Sequence, residues 1–90
     1  GYFYPQKAAP GYVIVEAPFA VGNRDSVLVQ ATCPDGKKVL GGGGNLVDST
    51  WFMERSYPLS DGSAWRVGFK SSGQTFSAAG AAYAICASVD

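Results

Sequence analysis

Two cysteines, Cys33 and Cys86, constrain the fold of this chain more than any other feature of its sequence. Both lie in apolar segments that favour β-strands, and the chain has no histidine that could complete a zinc site with them. They are not a Cys-x-x-Cys redox pair. We therefore expect a structural disulfide, with two buried thiols as the alternative. Such a bridge closes a loop of more than fifty residues and contributes roughly 4 kcal/mol on the chain-entropy estimate.

The length of 90 residues allows one domain with one core. Apolar residues form 47% of the chain and charged residues 16%, which excludes a disordered segment and disfavours a helical bundle. Seven basic and seven acidic residues balance, and the basic ones are scattered along the sequence. We therefore expect no nucleic-acid partner. No apolar run approaches the ~18 residues that span a bilayer, so we expect no membrane insertion.

Short segments of β-strand composition recur along the chain with turn residues between them, and none shows a helical period. The clearest is 26–33, where Val27, Val29, Ala31 and Cys33 alternate with mostly polar residues. The other predicted strands are 12–17 (stopped by Pro18), 37–43, 51–57, 64–70, 75–78 and 81–88. This pattern predicts an all-β fold, either a compact antiparallel β-sandwich or a jelly-roll-like barrel with one disulfide.

Residues 1–11 are predicted to be a lead-in arm or linker, and residues 12–90 a single β-domain. The arm carries the apolar cluster Tyr2, Phe3 and Tyr4, which we expect to contact this domain or a neighbouring chain. The chain begins without Met, so we expect a mature protein or a piece of a longer one.

Catalysis is not expected. Without histidine the commonest general base is missing, and oxidised cysteines offer no thiolate nucleophile. The carboxylates mostly have the sequence context of turn or solvent-facing residues; Asp35 and Asp61, for example, each precede a glycine. Asp25, Asp48 and Asp61 do not have calcium-loop spacing. We therefore predict no enzyme activity, no cofactor and no metal site.

The run Gly41–Gly44 is not followed by the Lys-Ser/Thr pair and helix that a phosphate-binding loop requires. Glycines within a strand more often mark a bulge, or the close approach of a neighbouring backbone or ring. We predict that structural role here.

The aromatic residues are the main candidates for a binding surface. Trp65 and Phe69 alternate within one predicted strand and are expected in the core. Trp51 follows three polar residues, which are Asp48, Ser49 and Thr50. Among the aromatic residues it is the better candidate for an exposed ring that stacks on a sugar or a protein partner, although a core position is favoured for it as well.

Four segments together resemble a small secreted bacterial module. They are Cys33-Pro34-Asp35-Gly36-Lys37-Lys38-Val39-Leu40-Gly41-Gly42-Gly43, Ser56-Tyr57-Pro58, Trp65-Arg66-Val67 and Ala82-Tyr83-Ala84-Ile85-Cys86-Ala87. The module reads roughly Cys-Pro-x-Gly-Lys-x-Val-Leu-Gly-Gly-Gly, Ser-x-Pro, Gly-Trp-x-Val and Tyr-Ala-x-Cys-Ala. The likeness spans 12–87, and it departs at Ala64, where the module often has glycine.

Such modules lie at the ends of collagen-like surface proteins of bacteria and in phage-associated structural proteins. The resemblance implies a secreted or surface-exposed, disulfide-linked β-domain with a structural or attachment role, as a homotrimer capping a fibre. The alternative is a monomeric carbohydrate-binding or adhesive module that uses Trp51 to contact a glycan or a surface protein. A small hydrolase is a remote third hypothesis, because the chain has no histidine.

Overall fold

The computed structural model describes residues 11–47, 50–73 and 76–88, and the regular secondary structure within them is β-strand. Apart from Gly11, the predicted arm lies outside the described residues. The strands are β1 (Val13–Arg24), β2 (Ser26–Thr32), β3 (Lys37–Leu46), β4 (Trp51–Pro58), β5 (Ala64–Ser71) and β6 (Phe76–Ser88). No helix of the described part is long and apolar enough to cross a membrane.

The six strands form two antiparallel three-stranded sheets that pack face to face. The first sheet has the order β1-β6-β3 and the second has the order β2-β5-β4. Every connection crosses from one sheet to the other, except the β4–β5 hairpin. The predicted all-β sandwich is therefore confirmed.

The first strand is longer than predicted, because Pro18 does not end it. β1 continues to Arg24, with Pro18 opposite Ala81 of β6. β1 lies at the edge of its sheet, where alternate N–H groups have no ladder partner, so a proline there removes no hydrogen bond. Near the end of β1 the register shifts between Val21 and Arg24, Asn23 takes a positive φ of 50°, and a bend at Asp25 leads into β2.

The last two predicted strands, 75–78 and 81–88, are one continuous strand, β6, at the centre of the first sheet. Gly80, which falls between the two predicted strands, is part of this strand. It lets the neighbouring strand approach closely, because the carbonyl oxygen of Asn45 occupies the space of a Cβ at Gly80.

The core lies between the sheets and pairs small residues of the first sheet with large residues of the second. Ala82, Ala84 and Cys86 of β6 are fully buried, and so are Val67 and Phe69 of β5. The small β6 side chains leave room for these larger ones within the usual sheet spacing of about 10 Å. The predicted inward face of β2 is confirmed, since Val29, Ala31 and Cys33 are buried.

The disulfide joins the two sheets. Cys33, just after β2, bonds to Cys86 of β6, with their Cα atoms 5.8 Å apart. The predicted bridge is confirmed, and it connects the second sheet to the central strand of the first.

The glycine run lies within β3 and has the predicted structural role. The register shifts between Val39 and Gly41, which marks a bulge. A Cβ at Gly42 would overlap the Trp65 ring, and one at Gly44 would lie 2.7 Å from Cζ of Phe69. These two glycines let aromatic rings of the second sheet reach the β3 backbone.

Candidate functional site

Trp51 is not an exposed ring. Its side chain is 4% exposed and belongs to the core cluster, at the start of β4 opposite Ser71. Trp51 takes the core position that the sequence favoured, because the first residue of β4 faces the opposite sheet and not the solvent. A buried ring offers no face on which a sugar can stack, so the glycan hypothesis loses the residue on which it depended.

The indole nitrogen of Trp51 has no hydrogen-bond partner among the described residues. A buried donor without an acceptor costs about 1–3 kcal/mol. Trp65, by contrast, is only half-buried, and its Nε1 donates to Oγ of Ser56 at 2.8 Å. Phe69 is in the core as expected, whereas Trp65 lies at its margin.

Five other predicted contact residues lie outside the described part of the chain: Asp48, Ser49, Tyr2, Phe3 and Tyr4. Thr50 is described; it is half-buried in a turn, and its carbonyl oxygen accepts a hydrogen bond from the N–H of Ser72 at 2.9 Å. This contact ties the start of β4 to the end of β5.

Asp61 acts as a turn residue. Its Oδ1 accepts hydrogen bonds from the hydroxyl of Ser63 at 2.7 Å and from the Ser63 N–H at 2.9 Å. These bonds, with the nearby charge of Lys38, hold the pKa of Asp61 below its ordinary value. Within the described residues, no group of three or more Cys, Asp or Glu side chains is arranged to hold a metal.

The segment from Cys33 to Lys38 closes one end of the sandwich. The N–H of Lys37 donates to the Pro34 carbonyl at 3.1 Å, and Gly36 takes the positive φ of 83° that the turn requires. An open groove of about 450 Å³ lies beside this turn, lined in part by Cys33, Asp35 and Ser63.

The ammonium groups of both lysines at this groove donate to protein oxygens. Lys37 Nζ reaches the Gly11 carbonyl at 2.7 Å and Oγ of Ser88 at 3.3 Å, which ties the start of β1 to the end of β6. Lys38 Nζ reaches the Asp61 carbonyl at 3.0 Å. Lys37 and Lys38, which belong to the first of the resemblance segments, are therefore held by hydrogen bonds within the domain. Their ammonium groups are engaged in these contacts and do not form an anion site in the groove.

The outer face of the first sheet carries mostly apolar side chains. Because inward positions alternate with outward ones, its members follow from the core and the register. They are Tyr12 before β1; Ile14, Glu16, Pro18 and Ala20 of β1; Ala79, Ala81, Tyr83, Ile85 and Ala87 of β6; and Lys38, Gly41, Gly43 and Asn45 of β3. Only Glu16 and Lys38 among them carry a charge.

Large apolar side chains project from this outer face. Ile14 is 59% exposed and Tyr12 54%, while Ile85 and Tyr83 on the central strand are half-buried. Leu40, at the β3 bulge beside the face, is also exposed. A contiguous apolar surface of this kind is typical of an interface.

The outer face of the second sheet carries more charge. It presents Arg55, Arg66 and Lys70, and it also exposes Leu28 (51%) and Phe52 (47%). Arg66 Nε donates to Gln30 Oε1 at 2.8 Å, and Gln30 Nε2 donates to Oγ1 of Thr32 at 2.9 Å. Two exposed apolar side chains are therefore set among cations and hydrogen-bonded polar groups on this face.

Comparison with known proteins finds no matching family model, no matching curated protein and no matching solved structure. The family resemblance of the sequence thus remains a prediction, and the functional argument depends on the surfaces of the domain itself.

Sequence reasoning missed the outer face of the first sheet. The signal was present in the first strand, where both the inward residues Val13 and Val15 and the outward residues Tyr12 and Ile14 are apolar. A strand with one solvated face normally alternates apolar and polar residues, so apolar residues on both faces of β1 distinguish it from such a strand.

Proposed function

We propose that this domain is a non-catalytic, extracellular assembly module that associates with copies of itself through the outer face of the first sheet. In this proposal it is the homotrimeric terminal domain of a bacterial surface or phage fibre. The observation that carries it is the exposure of Ile14 and Tyr12 on a face with only two charged side chains. Covering such a face removes apolar area from water.

The contrast between the two sheets supports this choice of surface. The second sheet presents three cations and a chain of side-chain hydrogen bonds, all of which would lose water in an interface. The first sheet presents mostly aliphatic and aromatic groups with glycine and alanine. Desolvation is therefore much less costly on the first sheet.

The disulfide supports an extracellular location, because such bridges persist in oxidising compartments. A small sandwich exposed to the extracellular medium also benefits from a covalent link between its sheets. In the sequence, Tyr2, Phe3 and Tyr4 precede Tyr12, which belongs to the outer face. In a fibre, those aromatic residues would add to the contact between neighbouring copies.

The test is the mass in solution, measured by sedimentation equilibrium from about 1 µM to 1 mM under oxidising conditions. We expect a trimer that dissociates on dilution. Ile14→Asp should shift the protein to monomer, because it places a charge at the most exposed apolar position of the face.

The matched control is Leu28→Asp. Leu28 is 51% exposed, close to the 59% of Ile14, but it lies on the second sheet. We expect this variant to associate like the wild type, with circular dichroism showing that both variants remain folded. A wild type that stays monomeric at 1 mM would overturn the proposal, as would equal loss of association in both variants.

A further inference from the structure

Two of the four consecutive glycines face open space in the single domain. Gly42 and Gly44 face the rings of Trp65 and Phe69 and cannot carry a side chain. Gly41 and Gly43 point to the other side of the sheet, where a Cβ would meet nothing within 4 Å. Neither has a positive φ. Glycine inside a strand lowers stability by about 0.5–1 kcal/mol relative to alanine. These two residues therefore destabilise β3, and the space beside them is not filled by another side chain of the domain.

Gly41 and Gly43 leave a depression in the outer face, because they have no side chains. Gly41 pairs with Ile85, and Gly43 pairs with Tyr83, so the β6 side chains form one wall of a slot whose floor is β3 backbone. We call this the β3 slot. At the opposite edge of the same sheet, β1 carries the projecting side chain of Ile14. We call the projecting Ile14 side chain the ridge. The ridge and the β3 slot thus lie on the same face.

We propose that the β3 slot receives the Ile14 side chain of a second copy of this chain. This inference rests on the proposed self-association, and it adds the contact that orients one copy on the next. When β1 of one copy lies over β3 of the next, Ile14 faces the backbone of Gly41 and Gly43. Because ridge and slot lie on one face, the contact is either reciprocal in a two-fold pair or repeats from copy to copy until a ring closes.

The face is smaller than a standard interface. Three strands spaced by about 4.8 Å, over about 30 Å of length, give about 430 Å² per copy. A standard interface buries about 800 Å² on each partner. We therefore expect the association through this face to be weak and to be lost on dilution.

The experiment fills the slot and follows two quantities, the free energy of unfolding and the association constant. Gly43→Val should leave the unfolding free energy of the monomer unchanged or higher, because the site is open and valine favours strands. The same substitution should weaken association at least tenfold. Weaker association with an unchanged or higher free energy of unfolding would show that the substitution affects a contact between copies and not the folding of the domain.

Gly22→Val is the matched control. Gly22 is an exposed strand glycine with nothing within 4 Å of its Cβ position and no positive φ, and it lies outside the slot. We expect its association to equal that of the wild type. A mixture of Gly43→Val with Ile14→Ala should recover part of the lost association, because a smaller ridge then meets the filled slot.

The outcomes distinguish this inference from the proposed function. A wild type that is monomeric throughout overturns both. A wild type that associates while Gly43→Val associates equally well overturns the slot contact and leaves self-association intact. Loss of association in Gly43→Val, with Gly22→Val unchanged, supports the slot contact whether the ring holds two or three copies.

Discussion

The ring of Phe69 lies directly against the backbone of Gly44, where a methyl group would come 2.7 Å from Cζ. The same ring stacks on Phe19 of β1, with centroids 5.0 Å apart. Phe69 therefore fills the space between the second sheet and two strands of the first. The absence of a side chain at Gly44 is what permits this packing.

Gly44→Ala is expected to destabilise the domain by about 1–3 kcal/mol, because the added methyl group forces Phe69 or the β3 backbone to move. Gly43→Ala is the control, since its methyl group meets open space, and it should raise stability by about 0.5–1 kcal/mol. Urea unfolding, monitored by circular dichroism at a concentration where the protein is monomeric, measures both. Equal effects at the two positions would contradict the inward and outward assignment.

Replacing Cys33 and Cys86 by alanine is expected to lower the free energy of unfolding by about 4 kcal/mol, because the bridge restricts a loop with 53 residues of sequence separation. Loss of this amount is comparable with the total stability of many small domains. Guanidinium unfolding with and without reductant measures the effect in the wild type. A reduced protein with an unchanged midpoint would show that the bridge does not stabilise the fold.

Glu16→Gln is expected to strengthen self-association several-fold. Glu16 lies opposite Tyr83 near the middle of the outer face, and its carboxylate loses water when that face is covered. Glutamine keeps the shape without the charge. Sedimentation equilibrium of the two proteins at equal ionic strength measures the change. Weaker association of the variant would mean that the carboxylate has a cationic partner in the neighbouring copy.

The two tryptophans are expected to differ in fluorescence. Trp51 is buried, with no hydrogen-bond partner among the described residues, whereas Trp65 is half-buried and bonded to Ser56. The variant Trp65→Phe, which retains only Trp51, should therefore emit at shorter wavelength than Trp51→Phe. Acrylamide should also quench it less. The reverse order would place Trp51 at the surface.

Asp61 is expected to contribute stability that is lost in acid. Its pKa is lowered chiefly by the Ser63 hydroxyl, then by the Ser63 N–H, with a contribution from Lys38. A carboxyl with a lower pKa in the folded than in the unfolded state stabilises the fold above its unfolded pKa. This contribution disappears as the pH falls through the folded value.

The comparison of Asp61→Asn with the wild type tests this expectation. The wild type should be more stable near neutral pH, and the difference should shrink on acidification below the ordinary aspartate pKa of about 3.9. The effect is expected to be small because the carboxyl is exposed and solvent screens it. A difference that grows in acid would contradict the sign.

Much of the fold was predictable from local pattern. The alternation in β2, the turn at Pro34–Gly36 and the pairing of Cys33 with Cys86 all follow from residue types and their spacing. Local rules failed at Pro18, which was expected to stop a strand, and at Gly80, which fell between two predicted strands. Their effect depends on where the strand lies in the sheet, and that position is a tertiary property.

The candidate site was predicted less well than the fold. Trp51 was selected for its polar neighbours in sequence, yet at its position in β4 the side chain faces the core. The outer face, by contrast, combines residues of β1, β3 and β6, which are distant in sequence and adjacent only in the sheet.

Strand composition, turn residues and two cysteines are properties of short segments, and they were enough to predict a β-domain with one disulfide. Which side of each strand is covered depends on how the two sheets pack. The Gly41–Gly44 run shows the reason: four identical residues alternate between facing two aromatic rings and facing open space. Glycine has no side chain to indicate its direction, so the difference appears only when the second sheet is packed against the first.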